Sequence, residues 1–136
     1  MKAYGIAYIA TGLVFLADDA VWLTLAAQRL YRPLMGDMLV ENFRLVPAVL
    51  FYLIYIAGIV VFAISPAFAT ERWTTATGYG ALLGFFAYAT YDLTNQATLR
   101  NWPVPVTIAD LCWGTLLTAF AATMGFLITR AFTSAA

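Results

Sequence analysis

Apolar residues dominate four stretches, Gly5 to Ala27, Val46 to Phe68, Thr77 to Ala97 and Val104 to Ile128, and each is long enough to cross a bilayer core as a helix. Prolines punctuate the ends: Pro47 opens the second stretch, Ser65-Pro66 stands near its close, and Pro103 and Pro105 precede the fourth. The expected fold is therefore all-α, a polytopic membrane protein built as a four-transmembrane-helix bundle in one membrane domain, 1–136. The first apolar run passes Asp18 and Asp19 and reaches Ala27 without a small-x-small cleavage site, so it reads as a retained first helix rather than a signal peptide. In the link from Gln28 to Leu45, the residues Leu34, Met35, Met38, Leu39 and Phe43 recur at roughly helical spacing between Arg32, Asp37, Glu41 and Arg44, the pattern of a short interfacial helix. The other two links are tight hairpins, each with a tryptophan, Trp73 or Trp102, suited to the headgroup level.

Composition agrees: 63% of the 136 residues are hydrophobic and 10% charged, too few polar groups to cover a soluble domain. Seven basic and seven acidic residues balance, which speaks against a nucleic-acid partner. With no histidine and a single cysteine, Cys112, the chain has no His/Cys zinc site, no Ser-His-Asp or Cys-His nucleophile and no disulfide of its own. Aspartates and amides suit magnesium or calcium, but such sites normally draw several ligands from one flexible loop or from bound phosphate, so a metal site ranks well below the other readings, none is assigned, and no cofactor is specified. With both termini on one side, Arg29, Arg32, Arg44 and Arg100 fall on one membrane face and Lys2, Arg72 and Arg130 on the other, a slight lean toward a cytoplasmic first and third link.

The intramembrane acids carry the information, because an aspartate at the centre of a span costs roughly 2.5 to 3.5 kcal/mol on insertion scales. Alternating spans bring Asp19, Asp92 and Asp110 to the same half of the membrane. In the third stretch Tyr88, Tyr91, Asp92 and Asn95 follow helical spacing, with Gly84, Ala81 and Gly80 further along; the fourth adds Gly114, Thr118, Ala121 and Gly125 near Asp110. Small residues let helices approach in lipid, so these two spans are expected to pack tightly. Stripes of Tyr8, Phe15, Asp19 and Trp22 on the first span, and of Phe51, Tyr55, Gly58 and Phe62 on the second, predict an aromatic-walled pocket beneath the aspartates, fit for an apolar or cationic ligand. The candidate ligand-binding residues are Asp19, Trp22, Tyr88, Tyr91, Asp92, Asn95, Asp110 and Trp113. A structural alternative gives Asp92, Asn95 and Asp110 to one another or to Arg100 as register-fixing bonds, Asp110 to its helix dipole with Thr107 as cap, and the tryptophans to packing or anchoring.

Several segments, Asp19-x-x-Trp22, Tyr52-Leu-Ile-Tyr55, Tyr88-Ala-Thr-Tyr91-Asp92-Leu-Thr94-Asn95, Thr98-Leu-Arg100-Asn-Trp102-Pro103 and Asp110-Leu-Cys-Trp113-Gly114, resemble in order the bacterial family of small predicted membrane proteins known as domain of unknown function 2177. The resemblance implies a four-span, multi-pass protein of the bacterial inner (plasma) membrane and implies no activity. From the residues, the first expectation is a binding or permeation protein whose carboxylate site takes a cation, proton or small amphipathic ligand, with the lipid bilayer and either further copies of itself or a larger membrane protein as partners. An enzyme acting on a lipid or isoprenoid by acid-base chemistry ranks second, since no motif demands a reaction. A helper subunit, docking through its small-residue faces, ranks third.

Overall fold

The computed structural model describes residues 2–38 and 44–133, and its described elements are all helical. Helix α1 (Lys2–Ala26) widens into a π-helical turn at Ala27–Tyr31 and continues as α2 (Arg32–Met35), giving one helix from Lys2 to Met35 of 34 residues. Helix α3 (Leu45–Ile59) likewise passes through a π turn, Val60–Ile64, into α4 (Ser65–Thr70). Helices α5 (Trp73–Thr98) and α6 (Val104–Thr133) complete the bundle. The helices Lys2–Met35, Leu45–Thr70 and Val104–Thr133 are long and apolar enough to cross a membrane. Helix α5 matches them in length at 26 residues but carries the tyrosines, threonines, Asp92 and Asn95 that lower its apolarity.

Both π turns have the same cause. Proline has no N–H and its ring collides with the carbonyl four residues earlier. For Pro33 that carbonyl belongs to Arg29 and for Pro66 to Phe62, the middle residues of the two π turns. Widening the turn lets each helix pass its proline instead of stopping. The boundaries read from sequence shift accordingly: the first helix runs past Ala27, the second past Phe68, and the third begins at Trp73 rather than Thr77. The expected interfacial helix is, through Met35, a continuation of the first helix; Leu39, Glu41 and Phe43 lie outside the described residues. Two tight reversals use left-handed residues, Glu71 at φ 55° after α4 and Asn101 at φ 66° between α5 and α6.

Neighbouring helices run antiparallel, as cross-helix pairs record: Tyr4 meets Ser65 while Asp19 meets Tyr52, and Gly80 lies against Ala122 while Gly84 lies against Gly114 and Thr118. Helix α6 is central, burying residues from Val106 to Thr129 at steps of three and four. Gly80 and Gly84 leave no room for a Cβ against α6, so α5 and α6 touch backbone to backbone. Phe15, Ile59, Ile64, Leu117 and Phe126 fill the core around small residues such as Ala63, Ala121 and Ala122. The outer surface is apolar too, with Ile9, Leu13, Ile54, Phe62 and Leu116 more than half exposed, the inverse of a water-soluble surface and one that lipid solvates.

Candidate functional site

Where the α5–α6 hairpin closes, the end of α5 and the start of α6 lie side by side, which sets Asp92 against Asp110. Asp92 is completely buried and Asp110 is 7% exposed. No donor reaches either carboxylate oxygen of Asp92. Its polar neighbour is the Asp110 carboxyl, within hydrogen-bonding reach, and two carboxyls bond to each other when one of them carries a proton. Asp110 has a second partner, since the Tyr31 hydroxyl donates to its Oδ1. The Trp22 indole N–H donates in turn to the Tyr31 oxygen at 3.0 Å. Removing that phenol in Tyr31→Phe strands the indole and the carboxylate together, so a loss of about 1 to 3 kcal/mol is expected in unfolding of the detergent-solubilised protein. An unchanged unfolding midpoint would mean that the Trp22–Tyr31–Asp110 chain does not form in solution.

Asp19 forms a separate station on α1. Its Oδ2 accepts from the Tyr52 hydroxyl at 2.5 Å and its Oδ1 from the Trp113 indole N–H at a long 3.4 Å. The Trp22 and Trp113 rings stack, 4.6 Å between centroids and 9° between planes, so the two tryptophans join the Asp19 station to the Tyr31–Asp110 chain. The Asp19-x-x-Trp22 segment of the first helix and the Asp110-Leu-Cys-Trp113 segment of the fourth thus meet. Asp18, beside Asp19 in sequence, is partly exposed and makes no hydrogen bond among the described residues.

Tyr88 stands between the stations. Its ring occupies the place a Cβ at Gly114 would need, so the glycine exists at that position to admit the ring. The other side of Tyr88 lines a cavity of about 320 Å³ shared with Phe51, Tyr55, Ala87 and Tyr91. Tyr55 is fixed by a 2.8 Å hydrogen bond with Thr118 and by packing on Phe51 at 5.3 Å and 17°. Deeper in the bundle, Phe15 and Leu117 are almost wholly buried and packed. The cavity is therefore aromatic on its walls, and it shares Tyr88 with the α5–α6 seam at Gly114.

The expected site residues divide. Asp19, Trp22, Asp110 and Trp113 join the hydrogen-bonded and stacked network, and Asp92 lies against Asp110. Tyr88 and Tyr91 line the cavity, Tyr91 being exposed at its rim and edge-on to Trp102 at 5.9 Å. Asn95 is partly exposed and donates nothing to Asp92, whose oxygens stay unpartnered; Arg100 is exposed and supplies no bond to Asp92 either. Two structural assignments also change. Thr107 accepts from the Trp102 indole at 2.9 Å instead of capping α6, and Trp102, expected at the headgroup level, is buried against Met35 and Val106. Among the described residues no three His, Cys, Asp or Glu side chains gather closely enough to hold a metal ion.

Tyr31 and Tyr52 join the site without being singled out by the sequence pattern. Tyr52 precedes Tyr55 by three positions and shares its side of the helix, so the stripe that names Tyr55 extends to it. Tyr31 follows Trp22 by nine, which in a regular α-helix is the opposite face. The π turn before Pro33 breaks that periodicity, and the proline is the one signal of it in the sequence.

A family described as predicted membrane protein, DUF2177, matches residues 4–127. No curated protein and no solved structure matches the chain significantly.

Proposed function

The chain belongs to the DUF2177 family of predicted membrane proteins, and from that premise we propose that it is an intramembrane binding protein for a small amphipathic cation. Its ammonium group is held at the Asp92–Asp110 carboxyl pair, and its apolar body lies in the aromatic cavity behind Tyr88. In this reading α5 crosses the bilayer with the other three helices, its length of ~39 Å being ample at 1.5 Å per residue, and its one acidic residue, Asp92, is buried with Gly80 and Gly84 on the face that packs on α6.

The observation that carries the reading is the Asp92 carboxyl, fully buried with no donor to either oxygen. Buried polar groups are almost always satisfied; the Asp110 carboxyl can satisfy Asp92 only when the pair shares a proton, and an ionised pair inside a membrane bundle lacks a positive partner. A cation supplies one. The adjoining cavity, about 320 Å³, is at the small end of ligand sites, and tyrosine and phenylalanine faces attract cations and apolar groups alike. Permeation is less supported because Phe15, Ile59 and Leu117 fill the interior of the single chain. A helper role through small-residue faces is less supported because Gly80, Gly84 and Gly114 are buried against the chain's own helices.

The test is a titration of the purified protein with 2-phenylethylammonium and its neutral counterpart 2-phenylethanol, followed by thermal unfolding. The ammonium is expected to raise the midpoint with increasing concentration, as any ligand of the native state does, and the alcohol to leave it near the starting value. Asp110→Asn weakens the ammonium effect at least about tenfold in apparent affinity. Equal stabilisation by the alcohol would remove the carboxylates from the proposal.

One observation favours acid-base catalysis as the second reading. Asp92 has no donors whereas Asp110 is held by Tyr31, and two carboxyls in unlike surroundings are what a proton donor and acceptor need. Turnover of an added lipid or isoprenoid, lost in Asp92→Asn, would favour this reading over simple binding.

A further inference from the structure

Away from the carboxylates, at the outer end of the same half of the bundle, a second pocket of about 260 Å³ lies between α2 and the α5–α6 turn. It is lined by Arg32 with Pro33, Leu34, Met35, Gly36 and Met38 on one side, and by Arg100 and Asn101 on the other. We propose that this pocket holds the phosphate of an anionic membrane lipid, gripped by the Arg32 and Arg100 guanidiniums.

The two arginines come from segments 68 positions apart in sequence, yet they face one space. Among the described residues neither is paired with an acid, and both are exposed. Like charges brought together without a counterion repel, and a phosphate bridging two guanidiniums relieves that repulsion with paired hydrogen bonds. The location favours lipid as the source of the phosphate. Arg29 and Arg44 are exposed on the same membrane side, adding attraction for anionic headgroups, and Leu34 and Met38, each 40% exposed, give the pocket an apolar border for the start of an acyl chain. The Asn101 backbone, left-handed at φ 66°, turns the chain back sharply enough to put Arg100 beside α2.

Occupancy has a structural consequence. Met35 packs on Trp102 and Val106, and Tyr31, four residues earlier, caps Asp110. A lipid tying Arg32 to Arg100 fastens α2 to the hairpin and so holds Tyr31 over the acid.

The experiment compares the full-length protein in dodecyl maltoside micelles doped with phosphatidylglycerol, with phosphatidylcholine, or with inorganic phosphate at the same concentration. Thermal unfolding is followed for the parent, the double variant Arg32→Gln/Arg100→Gln, and Arg72→Gln as an exposed control at the opposite end of the bundle. Phosphatidylglycerol is expected to raise the midpoint of the parent and of Arg72→Gln, with at least tenfold weaker apparent affinity for the double variant, while phosphatidylcholine has little effect on any of them. Equal stabilisation of parent and double variant by phosphatidylglycerol overturns the site. A full response to inorganic phosphate alone overturns the lipid assignment.

Discussion

Gly84→Ala is expected to lower the stability of the solubilised protein by about 2 to 3 kcal/mol, a large effect for one methyl group. The added Cβ falls on the Gly114 carbonyl oxygen and within 2.8 Å of the Thr118 Cβ and Oγ1. Rotamer changes give no relief against a backbone oxygen, so α5 and α6 must separate. Separation disturbs the seat of Tyr88 over Gly114 and the approach of Asp92 to Asp110, which are the next contacts along the same seam. In lipid the association of helices rests on this close packing, since lipid tails solvate apolar side chains as well as a neighbouring helix does. The control lies on the same helix: a Cβ added at Gly78 would meet nothing within 4 Å, so Gly78→Ala is expected to be neutral or to gain up to about 1 kcal/mol from helix propensity. Thermal unfolding of both variants side by side checks the pair, and equal behaviour would mean that the α5–α6 contact is looser than described.

How much of this is legible in the sequence depends on the kind of signal. Helix number and the α5–α6 seam follow from apolar run length and from Gly80, Gly84 and Gly114 at helical spacing, because both depend on local periodicity. The meeting of Asp92 and Asp110 follows from a short hairpin, which obliges the end of one helix and the beginning of the next to lie together. The Tyr31 cap does not follow from periodicity, since a π turn alters the face that later residues present. Trp102 shows a different limit. Its place in a short link and its residue type both suit an interfacial anchor, and only the return of α2 over the hairpin buries it on Met35. The division of the acids into an Asp19 station and an Asp92–Asp110 pair likewise depends on rotation of helices about their axes, which composition and depth leave open.

Asp92→Asn is expected to stabilise the protein by about 1 to 2 kcal/mol. Most substitutions at completely buried positions do the reverse. Here the parent side chain is a carboxyl to which no donor points, and leaving such a group unsatisfied costs roughly 1 to 3 kcal/mol. Asparagine has nearly the same shape, keeps the packing against α6, and adds N–H donors that can reach the Asp110 carboxyl. It also removes the capacity to hold a proton or a cation. A native residue that weakens the fold is retained for what it binds, so a gain in stability joined to a loss of binding is the signature of a functional acid.

The most direct measurement is thermal unfolding of the parent and of Asp92→Asn, each with and without 2-phenylethylammonium. The variant is expected to unfold at higher temperature than the parent when no ligand is added, and the ammonium to stabilise the parent while leaving the variant nearly unmoved. A variant that is less stable than the parent, yet responds to the ammonium as the parent does, would contradict the proposed cation site and make Asp92 a structural residue of the α5–α6 seam.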